Sequence, residues 1–121
     1  MPPLLQVAIG GAAGASLRYL AGIAAMRLSP SFPVATLGVN VAGSFAMGLL
    51  AAVLGRAGLA HLSPLLLTGV LGGFTTFSAF SLDAVQLWER GQGGQALLYV
   101  ALSVLLSIGG LVLGLALGRA A

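Results

Sequence analysis

The stretch GGFTTFSAFS, residues 72–81, places two adjacent glycines and two adjacent threonines in the middle of a long apolar run. Glycine weakens a helix by about 1 kcal/mol relative to alanine, and the branched side chain of threonine adds a smaller cost. The stretch therefore predicts a helix that breaks or unwinds between Gly72 and Thr76. A second interpretation stays open, in which the helix only kinks and the threonine hydroxyls bond back to the preceding turn.

The composition around this stretch is that of a membrane protein. Of the 121 residues, 59% are hydrophobic and only 6% are charged, and the mean hydropathy is +1.10. A soluble domain usually carries about a quarter charged residues. A membrane-spanning helix needs about 20 mostly apolar residues, and four segments qualify, approximately residues 4–26, 34–55, 65–88 and 95–118.

We therefore predict an all-α integral membrane protein with a single four-helix transmembrane domain over residues 1–121, whose third helix is broken mid-membrane. Backbone that leaves a helix at this depth must be buried in protein or line water. Carbonyl groups released near the midplane can coordinate a small cation, as in discontinuous transporter helices.

The sequence also excludes several function classes. It contains no cysteine, which excludes disulfides and thiolate metal sites. Its only carboxylates are Asp83 and Glu89 and its only histidine is His61, so no catalytic constellation is present and we predict that the protein is not an enzyme. The five arginines are spread along the chain, which excludes a nucleic-acid patch.

The arginines are balanced between the two sides of the predicted membrane domain. Four crossings place both termini on one side, together with Arg56 and Arg119, whereas Arg27 and Arg90 lie on the other. Because the Lys/Arg bias of short loops sets orientation, a chain without bias can insert both ways, and an antiparallel homodimer becomes possible. The alternative is a single orientation fixed by an insertion factor or by one dominant helix.

Polar and small residues recur every four positions in three of the four helices, and so lie on one face of each. The positions are Gly10, Gly14 and Arg18 in the first helix, Thr36, Asn40, Ser44 and Gly48 in the second, and Tyr99, Ser103 and Ser107 in the fourth. For the glycines and Ser44 we favour close helix packing. For Asn40, Tyr99, Ser103 and Ser107 we favour a wetted path, because Asn and Tyr bring donors that need partners.

Aromatic residues follow the predicted break. Phe77 and Phe80 share a helix face, with Ser78 and Ser81 beside them, and we include Ser78 with the two rings in the predicted ion pathway. Since an aromatic ring has a positive edge, two rings presented edge-on beside hydroxyl or amide donors can stabilise an anion without a fixed positive charge. The alternative is that the pair only fills the core or faces lipid. The charges of Arg18 and Asp83 either flank a vestibule or stabilise helix ends.

Three blocks of the sequence resemble the signature blocks of the Fluc (CrcB-like) bacterial fluoride channels: GGAAGASLRY (10–19), TLGVNVAGSFAMG (36–48) and GVLGGFTTFSAFSLD (69–83). The similarity covers essentially the whole chain, and the third block is the most specific. The resemblance implies a passive fluoride-selective channel of the bacterial inner membrane that exports toxic cytoplasmic fluoride. It also implies an antiparallel dual-topology homodimer with two fluoride pathways and a structural Na⁺ at the dimer centre.

The resemblance further implies roles for individual residues. The carbonyls of Gly72 and Thr75 would hold the Na⁺. The matching pathway residues are Phe77, Phe80, Asn40, Tyr99, Ser103 and Ser107, and the arginine of the first block matches Arg18. The sequence departs from the family pattern at Ala79, where threonine is common, and at Asp83, where glutamate is usual.

Two other functions compete with a fluoride channel. A proton-coupled small multidrug exporter also has four helices, but it needs a membrane-embedded carboxylate, expected in the first helix, and that helix has Gln6 and Arg18 and no acid. A non-transporting assembly subunit would use Asn40 and the Phe pair for packing only, and it predicts no ion flux from the purified protein.

Overall fold

The structure is a computed structural model, and it describes residues 1–28 and 31–121. These residues form only helices and their connections. Four helical segments are long and apolar enough to cross a membrane, which confirms the predicted all-α membrane architecture. They are Pro3–Ala25, Val34–Arg56, Ala60–Glu89 and Gly93–Ala120. We call them the first to fourth spans.

The first, second and fourth spans are each one continuous helix: α1 (Pro3–Ala25), α2 (Val34–Arg56) and, at the end of the chain, α5 (Gly93–Ala120). The third span is composite. It consists of a 3₁₀ turn (Ala60–Leu62), a π-helical segment (Pro64–Leu71), a single helical turn α3 (Gly72–Phe74) and the helix α4 (Phe77–Glu89).

Turn chemistry separates the spans. Gly58 and Gly91 have φ angles of +73° and +78° and lie in the connections that precede and follow the third span. This left-handed conformation is strained for residues with a side chain, so glycine suits both turns. In the connection between the first two spans, Ser29 and Pro30 of the predicted turn at residues 29–33 lie outside the described residues.

Two pairs of spans approach each other at backbone distance. In the first pair, a Cβ atom added to Gly14 would collide with the carbonyl oxygen of Val70 in the π-helical segment. In the second pair, a Cβ added to Gly48 of α2 would collide with the carbonyl oxygen of Leu111 in α5. Small residues allow such approach between helices in lipid. The predicted packing role of Gly10, Gly14 and Gly48 is confirmed.

The third span is interrupted at Thr75 and Thr76. Thr75 has φ −85° and ψ 160°, and Thr76 has φ −153° and ψ 122°, so both are extended. Gly72 stays helical, with φ −62° and ψ −36°. The interruption is therefore narrower than the predicted stretch from Gly72 to Thr76, because glycine permits a break without enforcing one.

The residues on either side of the interruption differ from a simple α-helix. Upstream, the N–H of Gly72 bonds to the carbonyl of Leu67, five residues earlier, which is the π-helical pattern that the sequence did not predict. The carbonyl of Leu71 accepts both the N–H and the hydroxyl of Thr75, at 3.0 and 2.9 Å. The back-bonding threonine of the alternative interpretation is thus present together with the break.

Candidate ion pathway

A groove of about 390 Å³ lies between α2, the interruption, the start of α4 and α5. Its walls carry small, hydroxyl, amide and aromatic side chains. They are Asn40, Gly43, Ser44, Met47, Thr75, Thr76, Phe77, Phe80, Ser103, Val104, Ser107, Ile108 and Leu111. The structure therefore brings together six residues singled out from the sequence: Asn40, Thr75, Phe77, Phe80, Ser103 and Ser107. Ser44, which we assigned to helix packing, also lines the groove.

The amide of Asn40 contacts the interrupted backbone with both ends. Its Oδ1 accepts the N–H of Thr76 at 2.8 Å, and its Nδ2 donates to the carbonyl of Thr76 at 3.0 Å. One of the two Nδ2 protons remains for another acceptor, since a carboxamide has two. Asn40, which we predicted on a wetted path, lies on the wall of the groove. It also bonds to the interrupted backbone, a contact that the sequence did not indicate.

The phenylalanine pair forms one wall of the groove. The ring centroids of Phe77 and Phe80 are 5.5 Å apart, with an angle of 53° between the ring planes. Phe80 is 9% exposed, whereas Phe77 is 78% exposed. One ring is thus fixed in the protein interior and the other lies at the open side of the groove.

Ser103 and Ser107 contribute hydroxyls from α5. Among the described residues, neither buried Oγ atom has a hydrogen-bond partner, and Ser103 is only 6% exposed. Buried polar atoms without a partner are uncommon in proteins because they lose hydration without replacement. Two free hydroxyls on one wall therefore suit a bound water or an anion that accepts hydrogen bonds.

Ser78 and Tyr99 do not line this groove. Ser78 is exposed, and its hydroxyl lies 3.3 Å from that of Thr76. Tyr99 is fully buried behind Phe80, with ring centroids 5.3 Å apart, and its hydroxyl donates to Oδ2 of Asp83 at 3.1 Å. Tyr99 shares a helix face with the two serines, but Phe80 covers it at the end of the groove.

Arg18 and Asp83 both contact protein groups. Nε of Arg18 donates to the carbonyl of Gly73 at 3.1 Å and so satisfies a group at the end of α3. Beside Arg18 lies a cavity of about 330 Å³ that Thr36, Thr76 and Ala79 also line. Asp83 accepts from Tyr99 and faces a different cavity of about 350 Å³ with Gln86 and Arg90.

The carbonyls of Gly72 and Thr75 were predicted to bind a cation. In residues 1–28 and 31–121, neither oxygen accepts any of the hydrogen bonds found outside the regular helices. Gly72 is also exposed on the surface of the single chain. No group of three or more His, Asp or Glu side chains is placed to bind a metal in the same residues, so an ion there would depend on carbonyl or hydroxyl oxygens.

Thr76 is a site residue to which the sequence analysis gave no role of its own. Its Oγ1 accepts the N–H of Ala79 at 3.1 Å and caps the N-terminus of α4, while its backbone bonds to Asn40. Thr76 lines both the groove and the cavity beside Arg18. Threonine is a favoured N-cap residue. A threonine directly before a helix that starts again at Phe77 was therefore the signal that could have identified it.

The family described as "CrcB-like protein, Camphor Resistance (CrcB)" matches residues 5–115 of the chain. A protein of Cereibacter sphaeroides (strain ATCC 17029) is 62% identical over 117 residues, which cover 96% of this chain and 94% of the relative. A protein of Paracoccus denitrificans is 59% identical over 95% of this chain and 93% of its own length. One of Agrobacterium fabrum is 53% identical over 93% of each chain. All three are named "Fluoride-specific ion channel FluC".

Proposed function

The chain belongs to the CrcB-like protein family, and from this premise we propose that it is a fluoride-specific ion channel. It is a multi-pass membrane protein, since four of its helices have the length and apolarity of membrane spans. It conducts fluoride passively across the bacterial inner membrane and so exports fluoride that accumulates in the cytoplasm. Relatives that share more than half of its residues carry the name of a fluoride-specific channel.

One observation carries the proposal on the side of the structure. A single groove collects the Phe77–Phe80 pair and the hydroxyls of Ser103 and Ser107, which have no hydrogen-bond partner among the residues that the structure describes. Fluoride accepts hydrogen bonds and carries one negative charge, so it suits both the hydroxyl donors and the positive edges of aromatic rings. A groove with these groups and no acidic side chain favours anion passage over the proton-coupled cation export of the rival class.

We further propose that the functional unit is an antiparallel homodimer of two copies inserted in opposite orientations. The face of the third span next to the interruption supports this assembly. Gly72, Phe77 and Ser78 are exposed there, and lipid provides no hydrogen-bond partners for carbonyls or hydroxyls.

Because the chain has no cysteine, a single cysteine added after Ala121 reports orientation. Dual insertion predicts equal labelling from both sides, and labelling from one side only contradicts it.

We further propose that the interruption at Thr75 and Thr76 lies near the bilayer midplane, which is supported by its location close to the middle of the span Ala60–Glu89. The carbonyls of Gly72 and Thr75 fit a small cation, because no hydrogen bond outside the regular helices of the described residues ends on them. Two copies related by a twofold axis would supply four oxygens for one structural Na⁺ at the dimer centre. A bound Na⁺ would neutralise part of the negative potential of these carbonyls.

Fluoride efflux from proteoliposomes tests the channel proposal. The wild-type protein should release fluoride rapidly and chloride at least ~100-fold more slowly, a difference of about 2.7 kcal/mol in barrier height. Phe80→Ile should slow fluoride efflux by about 10-fold or more, because an aliphatic side chain has no positive ring edge. Leu4→Ala is the control, since Leu4 is 81% exposed at the start of α1 and far from the groove in sequence.

Three results would contradict the proposal. Chloride efflux as fast as fluoride efflux would exclude a fluoride-selective pathway. Fluoride efflux that is unchanged when both Phe77 and Phe80 are replaced by isoleucine would exclude a role of the rings. Absence of any ion flux from correctly folded protein would favour the non-transporting assembly subunit.

A further inference from the structure

The backbone N–H of Thr76 has lost its helical partner, and both polar groups of the Thr76 backbone bond to Asn40. In a continuous helix, the N–H of Thr76 would bond to the carbonyl of Gly72, but the extended conformation of Thr75 and Thr76 turns it away. The N–H instead donates to Oδ1 of Asn40 at 2.8 Å. The carbonyl of Thr76 accepts from Nδ2 of Asn40 at 3.0 Å. One carboxamide thus pairs with one residue of backbone, as a neighbouring β-strand would.

Asparagine suits this task for a chemical reason. The pairing needs one donor and one acceptor on the same rigid plane, and a carboxamide supplies both. A serine or threonine hydroxyl both donates and accepts, but it lies one bond nearer its own backbone than Oδ1 and Nδ2 do and so falls short of the two groups, and an aliphatic side chain offers neither donor nor acceptor. An unpaired backbone group within a membrane domain is costly because lipid cannot replace the lost bond.

The packing of α2 brings Asn40 close enough to make the pair. One turn further along α2 is Gly43, where an added Cβ would collide with Cγ2 of Thr75 and crowd the ring of Phe74. The absence of a side chain at Gly43 therefore allows the interrupted backbone to lie against α2. Asn40 and Gly43 act together, one by bonding and one by leaving space.

We propose that Asn40 is a positioning residue, which holds the extended backbone at Thr76 and thereby sets the direction of its two neighbours. The two neighbours are Thr75, which precedes Thr76, and Phe77, which follows it as the first residue of α4. The same two bonds fix the amide plane of Asn40, so its remaining Nδ2 proton has a defined direction at the wall of the groove. The effect on ion flux rests on the proposed channel function, but the positioning of the Thr76 backbone by Asn40 does not.

Site-resolved hydrogen–deuterium exchange, combined with fluoride efflux, tests this role. Asn40→Leu keeps the number and branching of the side-chain heavy atoms and removes both bonds, whereas Asn40→Asp keeps an oxygen that accepts the N–H of Thr76. We expect the Thr76 amide to exchange at least ~10-fold faster in N40L than in the wild type, and within about threefold of the wild type in N40D. Exchange in the middle of α5 should be the same in all three proteins.

Fluoride efflux should fall by about 10-fold or more in N40L, because the backbone that directs Phe77 toward the groove loses its two bonds to Asn40. Ser16→Ala is the matched control. It also removes a side-chain bond to backbone, from Ser16 Oγ to the carbonyl of Ala12, but within the continuous helix α1. S16A should leave both the Thr76 exchange rate and the efflux unchanged.

Wild-type protection of the Thr76 amide in N40L would overturn the proposal, because it would show that Asn40 only fills space. Equal loss of protection in N40D and N40L would also overturn it. Should N40L not fold, Asn40→Ser replaces it with the same expected increase in exchange. A wild-type protein that conducts no fluoride would contradict the channel function. The exchange rates would still show whether Asn40 holds the Thr76 backbone.

Discussion

The two halves of the third span are held in the protein by different kinds of contact. The half before the interruption, residues 64–74, lies against α1 at backbone distance, where Gly14 leaves no room even for a methyl group beside Val70. The half after it, α4, is held by side chains. Phe80 and Leu87 of α4 pack with Ala96 and Tyr99 of α5 in the buried cluster of the protein.

The half before the interruption is therefore a fixed support, whereas the half after it carries side chains that line the groove. Backbone contacts fix a distance that no rotamer change can adjust, so the first half has a single position relative to α1. Side-chain contacts leave ring orientation and polar groups to be set individually, and the second half begins with the residues that line the groove. Thr75 and Thr76 join the two, and the side chain of Asn40 bonds to both polar groups of the Thr76 backbone.

The largest expected effect comes from closing the backbone contact. Gly14→Ala should lower the free energy of unfolding by about 3 kcal/mol, because the methyl group meets the Val70 carbonyl and the chain must move apart. Gly22→Ala is the matched control on the same helix, since the added Cβ has no atom of another described segment within 4 Å. It should be neutral or gain up to about 1 kcal/mol from helix propensity. Unfolding in detergent measures the free energy of unfolding of both variants. Equal stabilities would show that the close backbone contact at Gly14 does not fix the first half of the third span against α1.

A smaller effect is expected from the side-chain contacts of the second half. Tyr99→Phe keeps the ring against Phe80 and removes the hydrogen bond to Asp83, which should cost about 1–2 kcal/mol because the carboxylate loses its donor. Tyr19→Phe is the control, since Tyr19 is 70% exposed, and it should stay within about 0.5 kcal/mol of the wild type. A Y99F protein as stable as Y19F would show that this bond does not hold α4 to α5.

The smallest effect on stability is expected at the wall of the groove itself. Ser103→Ala removes a buried hydroxyl that has no partner in the described part of the chain, so the free energy of unfolding should change by less than about 0.5 kcal/mol. Fluoride efflux should nevertheless fall several-fold, because the groove loses a hydrogen-bond donor. Parallel unfolding and efflux measurements on S103A separate the two roles. A loss of stability with unchanged efflux would assign Ser103 to packing.

Much of the architecture follows from local features of the sequence. Apolar segments of sufficient length define the four spans, and Gly58 and Gly91 mark two of the turns. The four-residue spacing that unites Ser103 and Ser107 is a property of a continuous helix, so their shared position on α5 was predictable. The family signature in residues 69–83 pointed to the same function as the relatives found by comparison.

Other features depend on contacts between distant segments. Two extended residues reset the helical phase between α3 and α4, so spacing rules do not carry across the interruption. For this reason the sequence could not show that the ring of Phe80 packs on Tyr99, which does not line the groove. Nor could it show that Gly72 stays helical while Thr75 and Thr76 do not, since the partner that stabilises the extended backbone comes from α2.

The sequence by itself thus determined a four-span membrane protein with a weak point at residues 72–76, because hydropathy and helix propensity act over short stretches. The tertiary structure decided where within those residues the helix ends and which groups face the groove. Those choices depend on Asn40, 36 residues away in sequence from Thr76, and on the close approach of α2 at Gly43.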